Sequence, residues 1–243
     1  MCWSIGASAV SAAAGFGTAG YLIKKKESKL LWIPLLFFSL MEIIQVLQYL
    51  VIDNCGSSLN QVLTLLGYYH IAFQPFFINA YALYFVPKKA VQRIAPFVFL
   101  VCFVGAILSL LSVYPFEWAD KCIVGKELLC GARLCSVSGS WHIAYTIPVT
   151  PFFRIPWLAN ANIMTIGYYF PAFVLPFIYG VWRFNIYHIL VGPFLSYFLT
   201  NNPNEKAAIW CLISISYMLI ALIPSVKKFL KVKKWYFWNY PIK

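Results

Sequence analysis

The topology of this chain depends on residues 141–158, which read WHIAYTIPVTPFFRIPWL. The stretch is long enough to cross a membrane as a helix, but it contains Pro148, Pro151, Pro156 and Arg154. Proline removes a backbone N–H donor and clashes with the preceding turn, so a straight helix is disfavoured here. We therefore expect residues 141–158 to form part of an outer lid, or to re-enter the membrane from it without crossing.

The rest of the chain is far more apolar than a soluble domain. Of its 243 residues, 62% are hydrophobic and 11% are charged, and the mean hydropathy is +0.75. Soluble domains average about half apolar and a quarter charged residues. The composition predicts an all-α, polytopic bundle of transmembrane helices that forms one domain over residues 1–226, because a helix satisfies its backbone hydrogen bonds internally in lipid.

Seven apolar segments are expected to span the membrane. They lie near residues 3–23, 30–52, 60–86, 94–116, 163–184, 186–200 and 207–226. The first segment is rich in Gly, Ala and Ser, which allows a helix to approach its neighbours closely in lipid. Seven spans place the N-terminus outside and the C-terminus inside if residues 141–158 do not cross.

The positive charge is concentrated beside these segments. The net charge is +12, and 13 of the 19 basic residues fall in three clusters: Lys24, Lys25, Lys26 and Lys29; Lys88, Lys89 and Arg93; Lys227, Lys228, Lys231, Lys233, Lys234 and Lys243. Seven spans put all three clusters on the inner face, as the positive-inside rule prefers. We expect residues 227–243 to form a basic, aromatic cytoplasmic tail and anionic lipid headgroups to be the partner, with no nucleic-acid binding.

Most of the cysteines fall on the predicted outer side. These are Cys2, Cys55, Cys122, Cys130 and Cys135. Short outer loops with five thiols indicate one or two disulfides in an oxidising compartment, the plasma membrane or an endomembrane. The candidates are Cys55, Cys122, Cys130 and Cys135, which would staple an outer lid over about residues 117–162. A zinc site made by Cys122, Cys130 and Cys135 is the alternative.

Polar side chains inside an apolar span indicate function, because burying them in hydrocarbon is costly. Glu42 lies in the middle of the second segment, with Gln45 and Tyr49 on the same helical face at i+3 and i+7. His70 and Gln74 lie at a similar depth in the third segment. We expect Glu42 to be the catalytic carboxylate, and Gln45 and Gln74 to bind substrate or relay protons.

All three histidines follow one local pattern. His70, His142 and His188 are each preceded by an aromatic residue and followed by isoleucine, with a proline five or six residues further on. The pattern suggests a metal site holding zinc, iron or copper, or a haem site. The alternative is that each imidazole donates its N–H to a carbonyl freed by the proline, or pairs with Glu42, and so joins helices.

The opening Met1–Ser4, the run Tyr69–Phe77 and the cysteine-rich run that leads into Trp141–Ala144 resemble an uncharacterised family of small multipass membrane proteins. The resemblance extends along most of the chain. It implies a multipass membrane protein but no particular activity.

Three functions from different classes are compatible with these features. The first is a metal- or haem-dependent enzyme that acts on an apolar, lipid-like or quinone-like small molecule. The second is a proton-coupled transporter or channel that uses the same intramembrane residues. The third is a non-catalytic subunit or assembly factor of an oligomer or larger membrane complex. We favour the enzyme as the working hypothesis.

Overall fold

The structure, a computed structural model, describes residues 3–151 and 163–232 and is mostly helical. Four long helices come first: α1 (Ile5–Lys24), α2 (Lys29–Tyr49), α3 (Ser58–Leu83) and α4 (Lys88–Leu111). Shorter helices follow: α5 (Ile163–Tyr169), α6 (Leu175–Ile178), α7 (Trp182–Ile189), α8 (Leu195–Leu199), α9 (Lys206–Ser214), α10 (Tyr217–Leu222) and α11 (Pro224–Leu230). The π-helical turns Phe170–Val174 and Leu190–Phe194 join α5 to α6 and α7 to α8.

The long helices agree with the predicted segments to within a few residues, except for α4. It begins at Lys88 rather than at residue 94, because the two lysines and Arg93 form its first turns. Hydropathy identifies only the apolar part of a helix. The charged residues of the first turns form the same backbone hydrogen bonds, so the helix begins earlier than hydropathy predicts. α4 ends before Pro115, which disfavours helix in the residue before it. In the described residues, α2 and α4 are long and apolar enough to cross a membrane, with mean hydropathies of 2.1 and 2.7.

Small residues allow the helices to pack closely. The face of α1 that packs on α2 consists of Ser8, Ala12, Gly15, Ala19 and Leu22. A Cβ atom on Gly15 would lie 1.9 Å from Ser39 Oγ of α2. The crossing of α4 and α5 is equally close, since a Cβ atom on Gly105 would lie 2.0 Å from the Gly167 carbonyl oxygen. The first helix therefore packs as its small-residue composition predicts.

The lid contains a small β-sheet that an all-α prediction missed. Strand β1 (Cys135–Ser138) pairs antiparallel with β2 (Ile143–Thr146), with Cys135 opposite Thr146. β2 belongs to the stretch at residues 141–158, and its apolar side chains are buried on the bundle. Residues 141–151 are not helical, which agrees with a lid. Residues 152–162, which include Arg154 and Pro156, lie outside the described residues.

Two disulfides staple the lid. Cys55 in the α2–α3 loop bonds to Cys135 of β1, and Cys122 bonds to Cys130. All four candidates are confirmed, and the alternative zinc site is wrong because its three thiols are oxidised. Cys102 and Cys211 are buried and form no disulfide within the described residues. The predicted outer position of Cys2 lies outside the described residues.

The lid covers one end of the bundle through backbone hydrogen bonds. These run from Trp3 N to Trp141 O (2.9 Å), Asp53 N to Ser136 O (3.1 Å), Thr150 N to Ser112 O (2.6 Å) and Tyr145 N to Asn204 O (2.9 Å). The start of α1, the α2–α3 loop, the end of α4 and the turn before α9 therefore meet at this end, which we call the lid end.

The basic clusters meet at the opposite end. Lys227 Nζ lies 2.8 Å from Glu27 Oε1 in the α1–α2 loop. The Val232 N–H donates to the Phe85 carbonyl beside the α4 lysines, at 2.9 Å. These contacts place the described part of the third cluster, which ends at Val232, next to both earlier clusters, so the basic residues described in all three clusters share one face of the bundle. We call this the basic end.

Candidate functional site

The buried acid of α2 lies on the inward face of that helix. Glu42 is fully buried, and neither of its carboxylate oxygens has a hydrogen-bond partner among residues 3–151 and 163–232. The neighbouring polar group is the Ser8 hydroxyl of α1, which accepts a 3.0 Å hydrogen bond from the Trp3 indole. Buried polar groups are rarely left without partners, so Glu42 is available to a proton, a water molecule or a ligand.

Gln45 lies one turn further along α2 and is also fully buried. Its Oε1 atom lies 3.2 Å from His142 Nε2, whereas its Nε2 atom has no partner in the described residues. Gln48, on the next turn, is fully engaged: it donates to the Leu63 carbonyl at 2.9 Å and accepts from the Tyr145 hydroxyl at 2.9 Å. Along this face of α2, the buried side-chain atoms without a partner therefore belong to Glu42 and Gln45.

His142 comes to this site from the lid. It precedes β2, is 1% exposed, and its Nδ1 atom lies 2.8 Å from the Tyr49 hydroxyl. Because an amide oxygen can only accept, we assign the His142 proton to Nε2, which donates to Gln45, and the Tyr49 hydroxyl donates to Nδ1. Burial lowers the pKa of His142 to about 3, which keeps the imidazole neutral.

Glu205 holds His142 in place, and the sequence did not indicate this. Its fully buried carboxylate accepts from the backbone N–H groups of both Trp141 and His142, and from the Thr200 hydroxyl at 2.6 Å. A Cβ atom on Gly139 would lie 2.6 Å from the same carboxylate. The contact joins residues 63 positions apart and leaves no local pattern in the sequence.

The other two histidines are not brought to this site. His70 Nε2 lies 2.8 Å from the Phe37 carbonyl, and its ring stacks on Phe37 with centroids 3.9 Å apart. The hydroxyl of Tyr217 bonds His188 Nδ1, and the His188 ring stacks on Phe173 at 4.8 Å. His70 thus joins α3 to α2. The Phe37 carbonyl that it contacts belongs to α2, so it is not the carbonyl left without a donor by the proline that follows His70 in α3.

The predicted metal site is not assembled in the part of the chain that the structure describes. No group of three His, Cys, Asp or Glu residues there could hold a metal ion. His70 and His142 contact different turns of α2, at the Phe37 carbonyl and the Gln45 side chain, and His188 contacts Tyr217 of α10. The metal or haem hypothesis therefore gains no support from these residues and stays an untested prediction.

Gln74 belongs to a second polar group. Its Nε2 atom donates to Cys211 Sγ at 2.9 Å, and its Oε1 atom accepts from the Tyr168 hydroxyl at 2.5 Å. The Cys211 thiol lies close enough to Glu42 for the two groups to interact electrostatically. The second group thus approaches the Glu42 site through Cys211, which also packs in one cluster with Ile143 and Tyr145 of the lid.

The fold is a helical bundle covered at one end by a lid with two disulfides. In the site, the histidine of the lid contacts a buried carboxamide, and a carboxyl group without a partner in the described residues lies one helical turn away. Residues 6–231 match the model of DUF5765, a family of unknown function, and the chain belongs to that family. This confirms the resemblance to an uncharacterised family. No curated protein and no solved structure matches the chain.

Proposed function

We propose that this protein crosses the membrane seven times, with the lid outside and the basic tail inside, and that it moves protons through Glu42 as a proton channel or proton-coupled carrier. One observation carries the proposal: Glu42 is a fully buried carboxyl group in an apolar helix, and both of its oxygens lack a partner within the described residues. Ionisable groups kept at such positions commonly serve ion or proton pathways.

Exposed apolar side chains support the membrane environment. They occur on the outward faces of helices all around the bundle: Val10, Leu47, Leu66, Phe97, Leu100, Val174, Phe194 and Leu219. Soluble monomers rarely expose contiguous apolar surface on this scale. The two disulfides lie at the lid end and the lysine clusters at the basic end. This asymmetry agrees with an oxidising exterior and a positive interior.

The course of the chain supports the number of crossings. α1, α2, α3 and α4 run alternately between the lid end and the basic end. The α5–α6 run returns to the basic end, where Arg183 donates to the Phe229 carbonyl at 2.8 Å. The α7–α8 run leads back to Asn204 at the lid end, and α9 and α10 lead to α11 at the basic end. We propose that each of these seven passes crosses the bilayer.

The chemistry of the site favours proton exchange. A neutral Glu42 offers an O–H donor and a carbonyl acceptor, and an ionised Glu42 offers acceptors alone. The free Nε2 donor of Gln45, one turn away, can bind a water molecule that also contacts Glu42. His142 and the Tyr49 hydroxyl continue the series of exchangeable groups toward the lid. This set replaces the series Glu42, His70 and Gln74 expected from depth alone.

Proton flux into liposomes tests the proposal. The purified full chain is reconstituted with a pH-sensitive dye inside, and a potassium diffusion potential is imposed with valinomycin. We expect acidification with the wild type, loss of at least 90% of the rate in Glu42→Gln, and an unchanged rate in Glu117→Gln, which alters an exposed acid. Wild-type liposomes that acidify no faster than empty ones, or a Glu42→Gln variant as active as the wild type, would refute it.

A further inference from the structure

A cavity lies beside the Gln74 group and includes Gln74 among its lining residues. It has a volume of about 130 Å³ and opens between α3, the Tyr168–Tyr169 end of α5, α8 and α9. Its walls are mostly apolar, with Ile71, Ala72, Leu128, Leu129, Pro193 and Ala207 among them. Cavities of comparable volume accept a benzene-sized group, so this one takes a ring or a short length of an alkyl chain.

One charged residue lines this cavity. Lys206, the first residue of α9, is among its lining residues, and its ammonium group stands 3.9 Å from the centroid of the Tyr197 ring. Among the described residues, no Asp or Glu lines the cavity. The neighbouring acid, Glu205, already accepts three hydrogen bonds from the lid and Thr200. Lys206 has no ion pair within the described residues, so the cavity carries a positive charge at its mouth.

The cavity is open on the side where an apolar molecule would arrive. Tyr197 of α8, which faces Lys206, is 67% exposed, and Phe198 of the same helix is 71% exposed. Phe194, the last residue of the preceding π-helical turn, is 52% exposed. If the chain is in a bilayer as proposed above, this exposed face of α8 contacts lipid. A ligand can then enter sideways from the outer leaflet, and its polar end remains near the lid and Lys206.

We infer that this cavity binds a single-chain anionic amphiphile, a long-chain carboxylate. Its carboxylate pairs with Lys206, its first carbons fill the apolar cavity, and the remaining chain lies along the exposed face of α8. One ammonium group and room for one narrow chain suit a singly charged, single-chain ligand better than a two-chain phospholipid. The inference rests on the membrane placement in the proposed function, but not on proton movement by Glu42.

The test is equilibrium binding of radiolabelled palmitate to the full chain in non-ionic detergent, with hexadecanol as the uncharged analogue. We expect about one palmitate per chain and weaker binding of hexadecanol. Lys206→Met should weaken palmitate binding about five- to twentyfold, the range for losing one charge-assisted hydrogen bond that is partly exposed, and should leave hexadecanol binding unchanged. Lys206→Arg should keep binding within about twofold, and the exposed-lysine control Lys126→Met should have no effect.

Filling the cavity supplies an independent check. Ala207→Phe should abolish binding of both ligands, while the variant stays monodisperse with both disulfides intact. If that variant does not fold, the difference in palmitate binding between Lys206→Met and Lys206→Arg is sufficient to test the inference. The inference is overturned if palmitate does not bind, if hexadecanol binds as tightly as palmitate, or if Lys206→Met binds like the wild type. Because binding is measured without a proton gradient, its failure is separable from a failure of proton flux.

Discussion

The Nε2 atom of His142 lies 3.2 Å from Oε1 of Gln45, so a residue of the lid touches the inward face of a bundle helix. This contact joins two parts of the chain that are separated by 97 residues. It makes the buried site sensitive to the state of the lid.

The carboxylate of Glu205 should control how tightly the lid is held. Glu205→Gln replaces one acceptor oxygen by an N–H₂ group, which cannot accept from the Trp141, His142 or Thr200 donors. We expect a loss of about 1–3 kcal/mol of local stability and faster hydrogen exchange in a peptide that covers β1 and β2. Glu117→Gln is the control. Equal exchange in all three proteins would show that Glu205 does not hold the lid.

The stability of the lid should depend on pH through His142. Burial lowers the pKa of His142 from 6.5 to about 3, so between these values the unfolded lid binds a proton that the folded lid does not. Stability is therefore complete above pH 6.5 and falls as the pH drops toward 3, by at most about 1.4 kcal/mol per pH unit. Glu205 faces the backbone of this residue, and Tyr49 and Gln45 face its ring.

Thermal unfolding of the wild type and His142→Gln at pH 7.5 and pH 5 measures this effect. We expect the variant to unfold at a lower temperature at pH 7.5, because it loses the Tyr49 contact. Its unfolding temperature should then change less than that of the wild type on acidification. Parallel pH dependence in the two proteins would contradict the role of His142.

The two disulfides should differ in their contribution to stability. Cys55 and Cys135 are separated by 80 residues, and Cys122 and Cys130 by 8. A longer closed loop removes more entropy from the unfolded chain, about 4.5 kcal/mol against about 2.6 kcal/mol in the chain-entropy account. The pair Cys55→Ser with Cys135→Ser should therefore lower the unfolding temperature more than Cys122→Ser with Cys130→Ser. The reverse order would indicate that local strain outweighs loop length.

The close crossing of α4 and α5 should tolerate no side chain. A Cβ atom on Gly105 would lie 2.0 Å from a backbone carbonyl oxygen, which cannot move without shifting α5. We expect Gly105→Ala to destabilise the protein by about 1–3 kcal/mol, measured as thermal unfolding in detergent. Gly17→Ala is the matched control, because nothing lies within 4 Å of its added methyl group. A Gly105→Ala protein as stable as the control would mean that the crossing is looser than described.

Labelling of intact cells should show the proposed orientation. In a Cys2→Ser background, Lys126→Cys in the lid should react with a membrane-impermeant maleimide, whereas Lys89→Cys at the basic end should react only after permeabilisation. Cys102 and Cys211 are buried and should contribute little signal. Labelling of Lys89→Cys in sealed cells would reverse the orientation or remove the membrane crossing.

Much of the fold could be predicted from the sequence, because apolar length and proline content act locally. The helices α1 to α3 follow hydropathy, and the four disulfide cysteines follow from their outer positions. Which cysteines pair could not be predicted, since four cysteines allow three connectivities and the choice depends on the folded lid. The lid sheet was missed because β2 has an apolar composition that also suits a buried helix segment.

The candidate site was predicted in part, for a geometrical reason. Glu42 and Gln45 share a helical face whatever surrounds them, and both are buried as expected. His70 and His188 were placed together only by depth, which is one coordinate along the membrane normal. Depth does not determine how each helix is rotated, and the two rings have different partners. The parts played by His142 and Glu205 depend on long-range contacts that no local pattern encodes.

The Cys55–Cys135 bond also has a consequence for how the protein is made. Cys55 precedes α3 in the chain, and Cys135 follows α4, so the bond can close only after both helices have been synthesised and brought side by side. Until then a newly made chain carries two reduced thiols in an oxidising compartment. The closure of this bond is therefore a late event, which follows the synthesis of the first half of the chain.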